Sequence, residues 1–283
     1  MILLEELRER LLTLRNAGAT AVVVDLGNNP GGHELGDWVP RLFTASPVRS
    51  ARMGLVRDPA SAAYYDEELG QLQATLKTPL SSSDRLAVDS AIAVYQSHRN
   101  EVVAGPASPM ARVWTEQRPW KPFGDEHHCS NLVFGNTFES GERDYLPQNA
   151  VTSLMAASAT YSASIANPMV GAWQGPVYVV VDRKSFSGGE LAAARFQDNA
   201  IGEIVGDVTG GAGSGFDYNS TYTLPSGRMR FGIPNCVRLR KDGTNEADGL
   251  QPDLYVPLYL GETLAQHAER LLNAAISGLV KGT

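Results

Sequence analysis

Ser187 lies in VYVVVDRKSFSGGELAAARFQDN (residues 177–199), between an apolar, β-branched run at Val177–Val181 and a stretch of helical composition at Leu191–Phe196. A strand that hands over to a helix puts the serine beside the first N–H groups of that helix. These have no partner inside the helix and carry partial positive charge. An anion forming beside Ser187 would be stabilised there, with the Gly188 amide as a donor. This is the outline of a serine nucleophile with an oxyanion site. The residues also fit a structural reading, because Ser187 followed by Glu190 has the spacing of a helix capping box.

Other residues with chemical potential fall in loops. The turn GNNPGGHE, residues 27–34, holds Gly31, Gly32 and His33, and NEADGLQPD, residues 245–253, holds Glu246. A neutral imidazole at His33 within reach of Ser187 would be a competent base. A residue beside such a loop also often does no more than line the site. Glu246 alone reads equally well as a solvated loop acid. The cluster GDEHHC, residues 124–129, brings His127, His128 and Cys129 beside Asp125 and Glu126. Adjacent loop residues seldom converge on one ion, and no HExxH or CxxC accompanies them, so no metal site and no cofactor are expected. His98 and His267 fall in helical stretches and read as surface or packing residues.

The elements that must position these loops follow from periodicity. Leu3, Leu4, Leu7, Leu11 and Leu14 recur at helical spacing over Ile2–Asn16, and Gly18 ends that helix. Ala21–Asp25 (AVVVD) is a buried strand running into the glycine-rich turn; Val177–Val181 and Ile201–Val205 are further strands. Helices alternating with apolar strands imply an α/β fold with a parallel sheet, whose ligand sites lie beyond the carboxyl ends of the strands. The turn at 27–32 and the Ser187 loop both follow such ends and are expected side by side. Residues 60–77 and 83–98 read as a helical hairpin around Pro79, and residues 105–150 are loop-rich, with Trp114 and Trp120. A helix is expected over Val151–Ile165, a β-hairpin over Tyr222–Ile233 around PSG, and a closing helix over Leu264–Leu279.

At 283 residues, with 43% hydrophobic and 19% charged positions, the chain suits one large domain or one domain with an insertion. No apolar run reaches the length of a membrane span, and the start lacks a signal-peptide core. A net charge of -7 without a basic stripe argues against nucleic acid as a partner. Cys129 and Cys236 are too few for a disulfide framework; they are a pair in an exported chain or two buried thiols.

Four segments in order, AVVVDLGNNPGG (21–32), residues 177–199, IVGDVTGGAG (204–213) and GLQPD (249–253), resemble the core of the C-terminal processing, or tail-specific, serine peptidases. The resemblance implies a ClpP/crotonase-like catalytic core in two parts, residues 1–57 and 151–283, split by an insertion at 58–150 that would wall or cover the site. It also implies peptide or protein substrates, an export-associated location and the possibility of oligomers. Asp198, in FQDN, resembles a family position often near the site but reads better as a polar helix end. The Ser-Lys branch of the family takes its base from a lysine in the later glycine-rich loop. Here Ala212 holds that position, and an alanine cannot accept a proton. Only Lys184 or Lys241 folding in would restore that design.

The chain is closer to the Ser-His-Glu, tricorn-like branch, with Glu246 standing where that branch carries its glutamate. The resemblance therefore implies Ser187 as nucleophile, Glu246 as orienter of a histidine, and Gly188 with Gly31 or Gly32 as oxyanion donors. That branch draws its histidine from upstream of the first core helix, where this chain starts, so the expectation is either a piece of a longer protein or a short, degenerate enzyme. His33 is the best internal candidate. The alternatives are a catalytically silent relative that binds a peptide or small ligand, and crotonase-type acyl-CoA chemistry, which also uses paired backbone amides.

Overall fold

The computed structural model describes residues 2–32, 35–49, 52–105, 132–134, 170–215 and 221–281. Helix α1 (Ile2–Asn16) buries Leu4 and Leu11 and packs Leu7 beside them, while Leu3 and Leu14 stay exposed, so its apolar stripe is narrower than its leucine spacing implies. It stops at Gly18, whose φ of 82° lets the amides of Gly18 and Ala19 close back on the Arg15 and Leu14 carbonyls at 3.1 and 3.0 Å.

The chain then enters a four-stranded, fully parallel sheet in the order β1 (Val22–Asp25), β4 (Val177–Val181), β5 (Glu203–Gly206), β10 (Leu254–Tyr255). Val177, Val179 and Val181 face one way, into a core with α1, Trp38 of the short helix α2 (Leu35–Trp38), the 3-10 turn Val39–Phe43 and helix α5 (Ser187–Asp198). Tyr178 faces the other way, toward Ala275 of helix α6 (Leu264–Lys281). Burial on both faces explains why the central strands β4 and β5 read as apolar runs. Strand β1, expected to be buried, is an edge strand that leaves Val23 exposed. Among the described side chains of α6 only Ala275 is buried, while Leu264, Leu272 and Ile276 are exposed.

A second, antiparallel sheet runs β3 (Leu132–Phe134), β2 (Arg52–Val56), β9 (Cys236–Leu239), β6 (Ser214–Gly215). Leu55, Val133 and Cys236 of this sheet form one core with Tyr64 and Tyr65 of helix α3 (Ala62–Thr75) and Val102 of helix α4 (Ser82–Val103). The two helices also pack on each other through Leu72, Ala87, Val88 and Ala91. The hairpin helices thus rest on strands from both halves of the chain. Strands β7 (Thr221–Thr223) and β8 (Arg230–Gly232) form an exposed antiparallel hairpin. The helix expected over Val151–Ile165 lies outside the described residues. No helix among the described residues is long and apolar enough to cross a membrane.

Candidate active site

The carboxyl ends of β1, β4 and β5 release three loops at one edge of the parallel sheet: residues 26–32, 182–186 and 207–213. Ser185 fastens the first two together. Its buried hydroxyl donates to the Leu26 carbonyl at 2.7 Å and accepts the Asp182 amide at 3.0 Å. The Asp182 carboxylate accepts the amides of Asn28 at 3.0 Å and Lys184 at 2.8 Å. Asn29 completes the junction, because its carbonyl accepts the Phe186 amide at 2.9 Å and its side chain accepts the Gly31 amide at 2.9 Å.

Ser187 follows this junction as the first residue of α5, with a φ of 49°. The left-handed region costs a residue with a Cβ about 1–2 kcal/mol, and such strain persists where surroundings over-determine it. They do so here. A Cβ added to Gly31 would stand 2.6 Å from the Ser187 Cβ and 2.7 Å from the Gly188 nitrogen, and one added to Gly36 would stand 2.2 Å from the Gly188 oxygen. The two glycine loops touch, as their position after parallel strand ends implies, and glycine at 31 is what permits the approach.

The capping box does not form. The N-cap of α5 is Phe186, which makes no side-chain cap, and Glu190 turns away from its own helix end. Fully buried, it accepts the Thr209 hydroxyl and the amides of Gly211 at 3.1 Å and Ala212 at 2.7 Å. Thr209 in turn accepts the Leu250 amide at 2.6 Å, and the Gly210 amide bonds the Ser185 carbonyl at 2.9 Å. The third loop is thereby pinned beneath the serine turn. Arg238, buried in β9, donates to the Ala212 carbonyl on the same loop.

Glu246 begins a 3-10 turn, Glu246–Asp248, packed on this loop. Asn245 holds the turn in place, accepting the Ala247 amide at 2.9 Å and donating to the carbonyls of Gly213 at 2.7 Å and Arg238 at 2.6 Å. The Glu246 side chain is buried, and neither carboxylate oxygen has a hydrogen-bond partner among the described residues. Burial pushes its carboxyl up from the usual range; Arg238 and Arg195 pull it down, Glu190 pushes it further up, and Arg240 pulls it down. Glu246 is thus in electrostatic contact with a residue one helical turn from Ser187.

The remaining candidates divide. His33 lies outside the described residues, as do His127, His128, Cys129, Trp114 and Trp120. His98 sits on α4 with its ring 5.9 Å from that of Tyr65, and burial lowers its pKa against the pull of Glu101. The His267 Nε2 lies 2.8 Å from the Val256 carbonyl oxygen. Asp198 pairs with Arg240 at the opposite end of α5 from Ser187. Lys241 bonds the Asp198 carbonyl at 3.3 Å there, roughly 16 Å along the helix from the serine. Lys184 is exposed. Among the described residues no group of three or more metal-ligating side chains occurs. Asn29, Asp182, Ser185 and Thr209 carry no weight in the sequence reading. The Asn-Pro-Gly spacing, an Asx turn that takes up the amide two residues on, was the available signal for Asn29.

The model of peptidase family S41 matches residues 65–256, well over half of the chain. The chain belongs to peptidase family S41. A structure of mature CPAF complexed with lactacystin superposes with a TM-score of 0.62 at 15% identity, covering 99% of this chain and 48% of that one. A candidate peptidase from Parabacteroides merdae gives a TM-score of 0.51 at 15% identity, over 96% of this chain and 56% of its own. A Chlamydia pneumoniae protein is 35% identical over 68 residues, 24% of this chain and 11% of that protein. The chain spans about half the length of the solved chains it matches.

Proposed function

We propose that this S41 chain carries a serine peptidase site of the Ser-His-Glu design on a ClpP/crotonase-like core. Ser187 attacks a peptide carbonyl, and a histidine base takes its proton. The Gly188 amide and an amide of the Gly31–Gly32 turn receive the oxyanion, and Glu246 orients the histidine and stabilises the imidazolium. The observation that carries the reading is Ser187 itself, held at a φ of 49° on the first turn of α5 with the glycine turn packed against its Cβ. A serine strained at a strand-to-helix turn, with orphan amides beside it, suits a nucleophile. The buried Glu246 carboxylate, unpartnered among the described residues, supports the same reading, since such a group is costly unless something pairs with it. Ala212 in place of a lysine, with Lys241 at the far end of α5, speaks against a Ser-Lys pair.

In this reading His33 is the base within the chain, residues 58–150 are an insertion in a core made of 1–57 and 151–283, and the substrate is a peptide or unfolded protein met in an export-associated compartment. A second reading, a silent relative that holds a peptide in the same cleft, is favoured by one fact: both described histidines are engaged elsewhere, His98 against Tyr65 and His267 at the Val256 carbonyl. The test is the release of new N-termini from an unfolded polypeptide. Release that disappears in Ser187→Ala supports the peptidase. Binding of the polypeptide without release supports the silent relative.

A further inference from the structure

The geometry points to Asn29 as the positioning residue of the oxyanion site, and to Gly32, not Gly31, as the second donor beside Gly188. This inference deepens the proposed function and rests on Ser187 being the nucleophile. Both turn glycines are candidates from the chain order, but their amides differ. The Gly31 N–H is already taken by the Asn29 side chain at 2.9 Å. The Gly32 N–H makes no hydrogen bond among the described residues, and the space where a Gly32 side chain would stand is empty to 4 Å. Gly32 also follows directly on Gly31, which approaches so closely that a Cβ added to it would stand 2.7 Å from the Gly188 nitrogen.

Asn29 fixes this arrangement from two sides. Its carbonyl holds the Phe186 amide at 2.9 Å, immediately before Ser187. Its side chain backs the first turn of α5, where a Cβ on Gly189 would stand 3.1 Å from the Asn29 Cγ. Asn29 therefore ties the serine turn directly to the glycine turn, beyond the Ser185 and Asp182 contacts that join the bases of the two loops. Its side-chain bond holds Gly31 in the left-handed conformation, at a φ of 93°, that carries the chain on to Gly32. An oxyanion donor acts only if it is aimed before the charge develops. A shift of about 1 Å in such a group costs on the order of a hundredfold in rate.

The test combines amide hydrogen exchange, read residue by residue by NMR, with the rate of Ser187 phosphonylation by a fluorophosphonate on the full protein. In that reaction the serine Oγ–P bond forms as fluoride leaves. In the wild type the Gly31 amide should be protected and the Gly32 amide should exchange freely. Asn29→Ala should release Gly31 and slow phosphonylation roughly ten- to a hundredfold. Asn29→Asp keeps an acceptor for Gly31, so it should restore the protection and recover part of the rate. Protection of Gly32 instead of Gly31, or an unchanged phosphonylation rate in Asn29→Ala, would overturn the inference. If the wild type is not phosphonylated, the nucleophile reading fails, and the oxyanion role assigned to Asn29 falls with it. The exchange pattern then still tells whether the failure lies in the serine or in the turn.

Discussion

Helix α5 carries a residue with a positive φ at each end, Ser187 at 49° and Ala200 at 52°, and the two ends differ in what holds them. Ala200 sits in an ordinary helix stop. Its amide returns to the Gln197 carbonyl at 3.0 Å and that of Ile201 to the Phe196 carbonyl at 2.9 Å, the same double closure that ends α1 at Gly18. At Ala200 the left-handed backbone is a local stop that glycine would fill without strain. At Ser187 the same dihedral is imposed from outside the helix, by Asn29, Ser185 and the Gly31 backbone. Identical backbone strain is incidental where only the helix maintains it, and informative where three loops are built to maintain it.

The comparison breaks most readily at the serine. Ser187→Ala and Ser187→Gly should each lower polypeptide turnover by about a thousandfold or more, as loss of a nucleophile does. Ser187→Gly should nevertheless unfold at higher urea than Ser187→Ala, by about 1 kcal/mol, because it relieves the left-handed strain. Next in size is Glu246→Gln, which should cost on the order of a hundredfold or more in turnover if the carboxylate orients the base.

Its stability should move the other way. Burial raises the folded-state pKa of Glu246 above its unfolded value, so over the window between them the native protein keeps a proton that the unfolded chain has released. Stability is lost as pH rises through that window, and the glutamine is spared. The urea stability of Glu246→Gln relative to wild type should therefore improve as pH rises above about 4, where the unfolded carboxyl gives up its proton. Glu190→Ala strands the amides of Gly211 and Ala212 and should lower stability by about 3 kcal/mol. The smallest effect belongs to the other end of the helix: Ala200→Gly should raise stability by about 1 kcal/mol with turnover unchanged.

What could be read from the chain alone divides along the same lines. The parallel sheet and α5 were legible from unbroken apolar and helical composition, as their near-complete burial requires, and α1 from the spacing of its leucines. The α3–α4 hairpin and Gly18 as a helix stop also follow from composition. The antiparallel sheet was not, since β2 and β9 are short and pair across more than 180 residues, so neither carries a local signal strong enough to mark it. Glu190 misled for a related reason. Its spacing from Ser187 suits a cap, yet its partners are Thr209, Gly211 and Ala212, brought up by β5 in the next strand position. Ser185 and Asn29 escaped notice because their roles are contacts across the sheet edge, between loops more than 150 residues apart in the chain. On α6 the apolar stripe was legible, but which of its members face the sheet was not.

The central claim is that the three loops hold Ser187 as a reactive nucleophile. The direct measurement is the intact mass of the full protein after incubation with a fluorophosphonate, followed by peptide mapping, with Ser187→Ala alongside. A single adduct on the peptide containing Ser187, absent in Ser187→Ala, is the predicted result. An unmodified wild type, or an adduct that persists in Ser187→Ala, would contradict it.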